Sequence, residues 1–189
     1  MARVKDLNPT DLQGSSRQVY ERILDGYGPY RNMLSVFAHR PPALDHIFSY
    51  LLQSKADGLI SPRHLEIALL TASKAHVCEY CVAHHEPKSL EQGLSQETVD
   101  RLLDDDVPGL DPVELLVRDY ALQVTQNAAR VTDAFHNRLR EHFSEEQIVE
   151  LTIRIALCSF FKRVNEALDV VAEDDVALEF APRSAEAVL

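Results

Sequence analysis

Apolar residues along the chain recur at intervals of three and four, the period of an amphipathic helix, and no alternating segment bounded by turn residues reads as a strand. Pro41 and Pro42 open a run in which Leu44, Ile47, Phe48, Leu51 and Leu52 share one face, and Gly58 is placed to end it. Ser61 with Pro62 caps the next helix, SPRHLEIALLTASKAHV. Further on, Gly93 breaks one helix, Ser95 starts another, and Asp111 with Pro112 starts PVELLVRDYALQVTQNA. Thr132 with Asp133 begins a short helix predicted to end near Phe143. From Ser144 a long helix follows, in which Ile148, Leu151, Ile155 and Ser159, with Ile153 and Leu157 beside them, are apolar or small almost all round. That is the pattern of a central helix or of one covered by a partner subunit. The fold class expected is all-α, as a single domain over residues 1–180 with 181–189 as a loose C-terminal tail.

Composition narrows the setting. A chain of 189 residues supports one good core, and 46% hydrophobic with 26% charged residues is ordinary for a folded globular protein. The richest apolar run, LTIRIALCSFF, is interrupted by Arg154 and closed by Lys162 and Arg163, well short of the roughly 20 residues a membrane span needs. The start, MARVKDLNPT, lacks the apolar core of a signal peptide, so cytoplasmic residence away from membranes is expected. A formal charge of −11, with no basic stretch carrying interleaved aromatics, argues against a nucleic-acid partner. The acidic clusters at Asp104 to Asp106 and Glu173 to Asp175 read as solvated loop and terminal residues.

The chemistry concentrates in HVCEYCVAHH, His76 to His85. Thiols three residues apart can close a disulfide, hold a metal, or pack. In a chain without an export signal the choice falls between redox and metal work ahead of a structural disulfide. A structural zinc site needs four ligands, and Cys78, Cys81 and His85 supply three. On one helix these three share a face, and a position near the helix N-terminus favours thiolate. Glu66 lies in the preceding apolar segment. In one straight helix it would sit roughly 22 Å from Cys81, but a turn near Ala75 to Val77 brings it level with His85 across an antiparallel pair. His85 is one helical turn beyond Cys81, which gives a relay of Glu66, His85 and Cys81, although no Gly or Pro announces the turn. His84 points about 100° away from His85 and reads as a solvent or interface residue, with a supporting role as the alternative. His64 and His76 read as surface residues, and Cys158 as a buried structural thiol. Arg163 and Asn165 are placed to shape the site or a subunit contact.

The segment SPRHLEIALLTASKAHVCEYCVAHH resembles the signature of the carboxymuconolactone decarboxylase superfamily in its AhpD-like alkylhydroperoxidase branch. GLSQETVDRLL and FSEEQIVELTIRIALCSFFKRVNEAL are similar to the later helices of that family, so the resemblance covers most of residues 30–170. It implies an AhpD-like helical fold with the CxxC at the start of a helix packed against the Glu66 helix. It also implies a peroxidase cycle: Cys81 attacks a hydroperoxide and becomes a sulfenic acid, Cys78 resolves it as a disulfide, and Glu66 and His85 relay the proton. The best-known peroxidases of the family carry a His between the cysteines. Tyr80, which stands there in this chain, can donate a hydrogen bond but is no base near neutral pH, so it is expected in a supporting role. The resemblance further implies no metal or organic cofactor, a dithiol reductant such as a lipoyl-bearing or thioredoxin-like protein, and a homo-oligomer, trimer or hexamer. Two other readings remain: a lactone-handling decarboxylase with incidental cysteines, although the decarboxylases lack the cysteine pair, and a non-catalytic redox-sensing oligomer.

Overall fold

The computed structural model describes residues 2–176, and the 181–189 tail expected from the sequence lies outside the described residues. All regular elements among them are helical. After a 3-10 turn (Pro9–Asp11) come α1 (Gly14–Gly26), α2 (Arg31–Phe37) and α3 (Pro41–Ala43), which runs through a π-helical stretch (Leu44–Phe48) into α4 (Ser49–Asp57). Next are α5 (Pro62–Ala75), α6 (Glu79–Glu91), α7 (Gln96–Asp100), α8 (Pro112–Asn127), α9 (Asp133–Arg140) and α10 (Glu145–Leu168). A last 3-10 turn spans Asp174–Val176. No helix among the described residues is long and apolar enough to cross a membrane.

The starts follow their caps. Ser61 accepts the His64 N–H, Asp111 and Glu114 close a reciprocal capping box on α8, and Ser144 and Gln147 do the same on α10. Gly58 ends α4 in the left-handed conformation, the place where a missing Cβ removes the steric cost. One end differs from expectation, since α9 stops at Arg140 and Phe143 lies beyond it, packed into the core.

Helix α5 is the hub. Its Ile67, Ala68, Leu70 and Ala72 are fully buried, and it packs against α6, α8 and α10. Arg63 at its start makes an ion pair with Glu114, tying α5 to the capping box of α8. Helix α10 buries Ile148, Leu151 and Ile155 but is not enclosed. Val149, Ile153 and Phe160 stay exposed along one face, so its all-round apolarity reflects an open surface in the single chain and not a central position.

The α5–α6 turn explains how the motif folds without a glycine. The Cys78 N–H bonds to Ser73 O and the Val77 N–H to Lys74 O, both at 3.0 Å, the double closure that ends many helices. That closure requires a left-handed residue, and Val77 takes the role at φ 54°. A β-branched side chain there is strained by about 1–2 kcal/mol. At the end of α6 the same closure falls on Gly93, at φ 83°.

Candidate functional site

Cys78 and Cys81 are joined by a disulfide, with Cα atoms 5.3 Å apart, in the range that the bond requires. Helix α6 begins at Glu79, so Cys78 is its N-cap in extended backbone and not part of the helical face it was expected to share. Its Sγ accepts the Cys81 N–H at 3.3 Å. Cys81 therefore sits in the first turn of α6, where unpaired N–H groups and the helix dipole favour a thiolate once the bond is reduced. His85 follows one turn later.

Across the helical pair, His85 Nδ1 and Glu66 Oε2 are 2.8 Å apart, and both side chains are largely buried. Burial alone would raise the Glu66 carboxyl. Attraction to His85, the hydrogen bond to it, and the charges of Lys88 and Arg154 outweigh that and hold it below the usual carboxylate range. An ionised carboxylate only accepts, so His85 carries its proton on Nδ1, and in the neutral ring Nε2 keeps its lone pair. Cys81 and His85 line one pocket, with ≈ 550 Å³ of empty space counting the part open to solvent.

The walls of that pocket are largely apolar: beside aliphatic side chains such as Leu51 and Leu157 they carry Tyr80, next to Cys81, and Tyr27, Tyr30, Phe48 and Phe161 from other parts of the chain. Arg154 of α10 also lines it, buried, and donates to Tyr27 Oη at 2.8 Å and Ser54 Oγ at 2.9 Å. Lys88 donates to Tyr30 Oη at 2.6 Å and lies over the Tyr30 ring. Burial pushes the Tyr27 hydroxyl up to about 12 and that of Tyr30 further, so both remain neutral donors or acceptors. Tyr80 was expected at the site from the sequence; Tyr27, Tyr30, Phe48, Phe161, Lys88 and Arg154 were missed as site residues. Arg154 alone carried a signal, as a charge in the most apolar run of the chain.

His84 is not a solvent residue. It is 3% exposed, lines the same pocket, and its Nε2 is 2.8 Å from Oε2 of Glu173. Glu173 is likewise buried instead of solvated, and it also accepts from the Asn32 N–H at 2.7 Å and from Tyr80 Oη at 3.4 Å. Tyr80 is buried, its hydroxyl pushed well up first by burial and then by Glu173. Asn165 is buried and lines the pocket, whereas Arg163 is exposed and donates to Ser159 O. Cys158 lines it too, its thiol pushed up to about 11 by burial. His64 and His76 are half-buried, not free surface groups. His64 stands edge-on to Phe143, and His76 Nε2 lies 2.6 Å from Ser159 Oγ. Among the described residues no group of three His, Cys, Asp or Glu side chains is arranged to hold a metal ion.

Residues 41–121 match the carboxymuconolactone decarboxylase family, and the Glu66 helix and the CxxC lie within that segment. The uncharacterized protein YnjA of Escherichia coli (strain K12) is 31% identical over 98 residues, which are 51% of this chain and 54% of that protein. The chain thus spans about half the length of this relative. An uncharacterized peroxidase-related protein from Ralstonia eutropha JMP134, solved as an alkylhydroperoxidase AhpD core, superimposes with a TM-score of 0.76 at 22% identity, over 93% of this chain and 94% of the other. The debrominase Bmp8, solved as a cysteine-to-alanine variant with 2,3,4-tribromopyrrole, gives 0.72 at 19% identity over 92% of each chain. The fold around the matched segment is AhpD-like.

Proposed function

We propose that the chain is a thiol-dependent peroxidase that reduces hydroperoxides through a Cys78/Cys81 dithiol–disulfide cycle. One observation carries the reading: the Glu66–His85 hydrogen bond stands at the pocket that Cys81 lines. In the reduced protein, His85 Nε2 takes the Cys81 proton while Glu66 steadies the imidazolium. The Cys81 thiolate attacks the distal oxygen of ROOH, the O–O bond breaks, and RO⁻ takes the proton from His85 and leaves as ROH. Cys78 then attacks the Cys81 sulfenic sulfur, its own proton leaving with the hydroxide as water, and the disulfide closes. A dithiol reductant, lipoyl-bearing or thioredoxin-like, exchanges with the disulfide and leaves oxidised. Overall, ROOH and the reductant become ROH, water and a disulfide. The cycle needs no metal or organic cofactor and suits the cytoplasm, where thiol reductants are at hand. The exposed Val149, Ile153 and Phe160 face is assigned to a homo-oligomer contact, in a trimer or hexamer.

Hydroperoxide consumption with dithiothreitol as reductant tests the reading. Wild type turns over and Cys81→Ser does not. Turnover of a lactone acid that survives in the double Cys→Ser protein would favour a lactone-handling enzyme, and disulfide formation without turnover a redox sensor.

The aromatic side chains of the pocket, and the similarity to a debrominase solved with a bromopyrrole, favour a second reading on the same dithiol, reductive removal of halide from a flat aromatic ring. The ring would gain hydrogen, halide would leave, and Cys78 and Cys81 would be oxidised to the disulfide. Bromide release from a bromopyrrole, in place of peroxide consumption, would select it.

A further inference from the structure

The pocket carries a second carboxylate–histidine pair beside the first, and the peroxidase steps use only one of them. His84 and Glu173 come from α6 and from the segment after α10. Glu173 accepts from Asn32 and Tyr80 as well as from His84, so its oxygens act as acceptors and the His84 proton belongs on Nε2. The ring packs against Tyr30 and Tyr80, with centroids at 4.4 and 4.6 Å, and its bond to Glu173 fixes which nitrogen faces the carboxylate. Burial pushes the His84 imidazole down further than Glu173 pulls it up, and His85 and Lys88 nearby push the same way. Near neutral pH the ring is uncharged and Nδ1 keeps a lone pair.

That Nδ1 is buried and has no hydrogen-bond partner among the protein's own described groups, and Oδ1 of the buried Asn165, a residue lining the same pocket, has none among them either. An unsatisfied buried acceptor is costly, and folded proteins retain few of them. Two at one pocket beside a redox pair match a ligand that brings a donor.

We infer that His84, fixed by Glu173, is a substrate anchor whose Nδ1 accepts the O–H of the hydroperoxide reacting at Cys81. The inference rests on the peroxidase reading and names the group that reading selects. In ROOH the hydrogen is on the distal oxygen, the atom Cys81 attacks. An acceptor that grips this O–H orients the O–O bond toward the sulfur. The hydrogen stays on its oxygen and becomes that of the sulfenic acid, RO⁻ is protonated by His85, and His84 gives and takes no proton. A substrate of the same shape without a donor leaves Nδ1 unpaired, which is how a site built around a hydrogen bond rejects its apolar analogue.

The test is a binding comparison on the disulfide form, which has no Cys81 thiolate to cleave a peroxide, with cumene hydroperoxide and tert-pentylbenzene, which has an ethyl group in place of the hydroperoxyl. The ratio of their affinities should shift against the hydroperoxide by about tenfold in His84→Phe, which keeps an aromatic ring beside Tyr30 and Tyr80. An unchanged ratio, or no binding of either probe by the wild type, overturns the inference. If His84→Phe does not fold, the 15N resonance of Nδ1 in the wild type decides. It should move toward the hydrogen-bonded position with the hydroperoxide and stay put with the hydrocarbon; the same response to both overturns the inference. Turnover is scored separately: a protein that discriminates the hydroperoxide through His84 but does not consume it in the reduced form fails the peroxidase reading and keeps the anchor.

Discussion

Glu66 and His85 stand 19 residues apart in the chain, yet their side chains are 2.8 Å apart in the fold. The α5–α6 turn creates that contact, and most of the chemistry proposed here depends on it. If Glu66 holds His85 ready to take the Cys81 proton, Glu66→Gln should keep the fold and the disulfide-forming pair. It should also move the pH profile of Cys81 alkylation to higher pH and slow peroxide reduction by about 10²-fold. Iodoacetamide rates on the reduced protein against pH check this; an unmoved profile leaves Glu66 structural.

The same carboxylate sets a stability signature. Its pKa is depressed in the folded state, so its contribution is present above the unfolded value, about 4.3, and is lost as pH falls through the lower folded value. Urea melts of wild type and Glu66→Gln from pH 7 to pH 3 should show the difference between them shrinking toward the acid end. A difference that grows there contradicts the assignment.

Val77 is 70% exposed, so its side chain adds little packing to set against its left-handed backbone. Val77→Gly should therefore raise the unfolding free energy of the disulfide form by about 1 kcal/mol. Chemical denaturation measures it, and a loss would show that Val77 makes a contact that offsets the strain.

Arg154→Met removes the donor shared by Tyr27 and Ser54 and the cation facing Glu150 inside the protein. A destabilisation of roughly 3 kcal/mol is expected from the charge left buried, read from the denaturation midpoint.

The sequence made the motif legible because its spacings are local. The caps at Ser61, Asp111 and Ser144 fix where helices begin, and Cys81 to His85 is one turn on any helix. The Glu66–His85 contact was foreseeable as soon as a turn was assumed, but the turn was silent because Val77 fills a position where glycine is the usual signal. His84 was misjudged for a different reason. Its direction on the helix was right, but the side it faces is covered by the segment carrying Glu173, some ninety residues away in sequence. Tyr27, Tyr30 and Arg154 reach the pocket from three helices or their ends, and no local pattern encodes that convergence.

The division of labour between the two cysteines is the central claim, and trapping the intermediate tests it most directly. One equivalent of hydroperoxide added to reduced Cys78→Ser should leave a sulfenic acid on Cys81, because the resolving thiol is gone; a dimedone adduct located by mass spectrometry reports it. Cys81→Ser, treated the same way, should keep Cys78 largely unoxidised, since Cys78 caps α6 ahead of the turn that His85 serves. Sulfenic acid on Cys78 in the Cys81→Ser protein, with none on Cys81 in the other, would contradict the account and point to a disulfide-exchange protein led by Cys78.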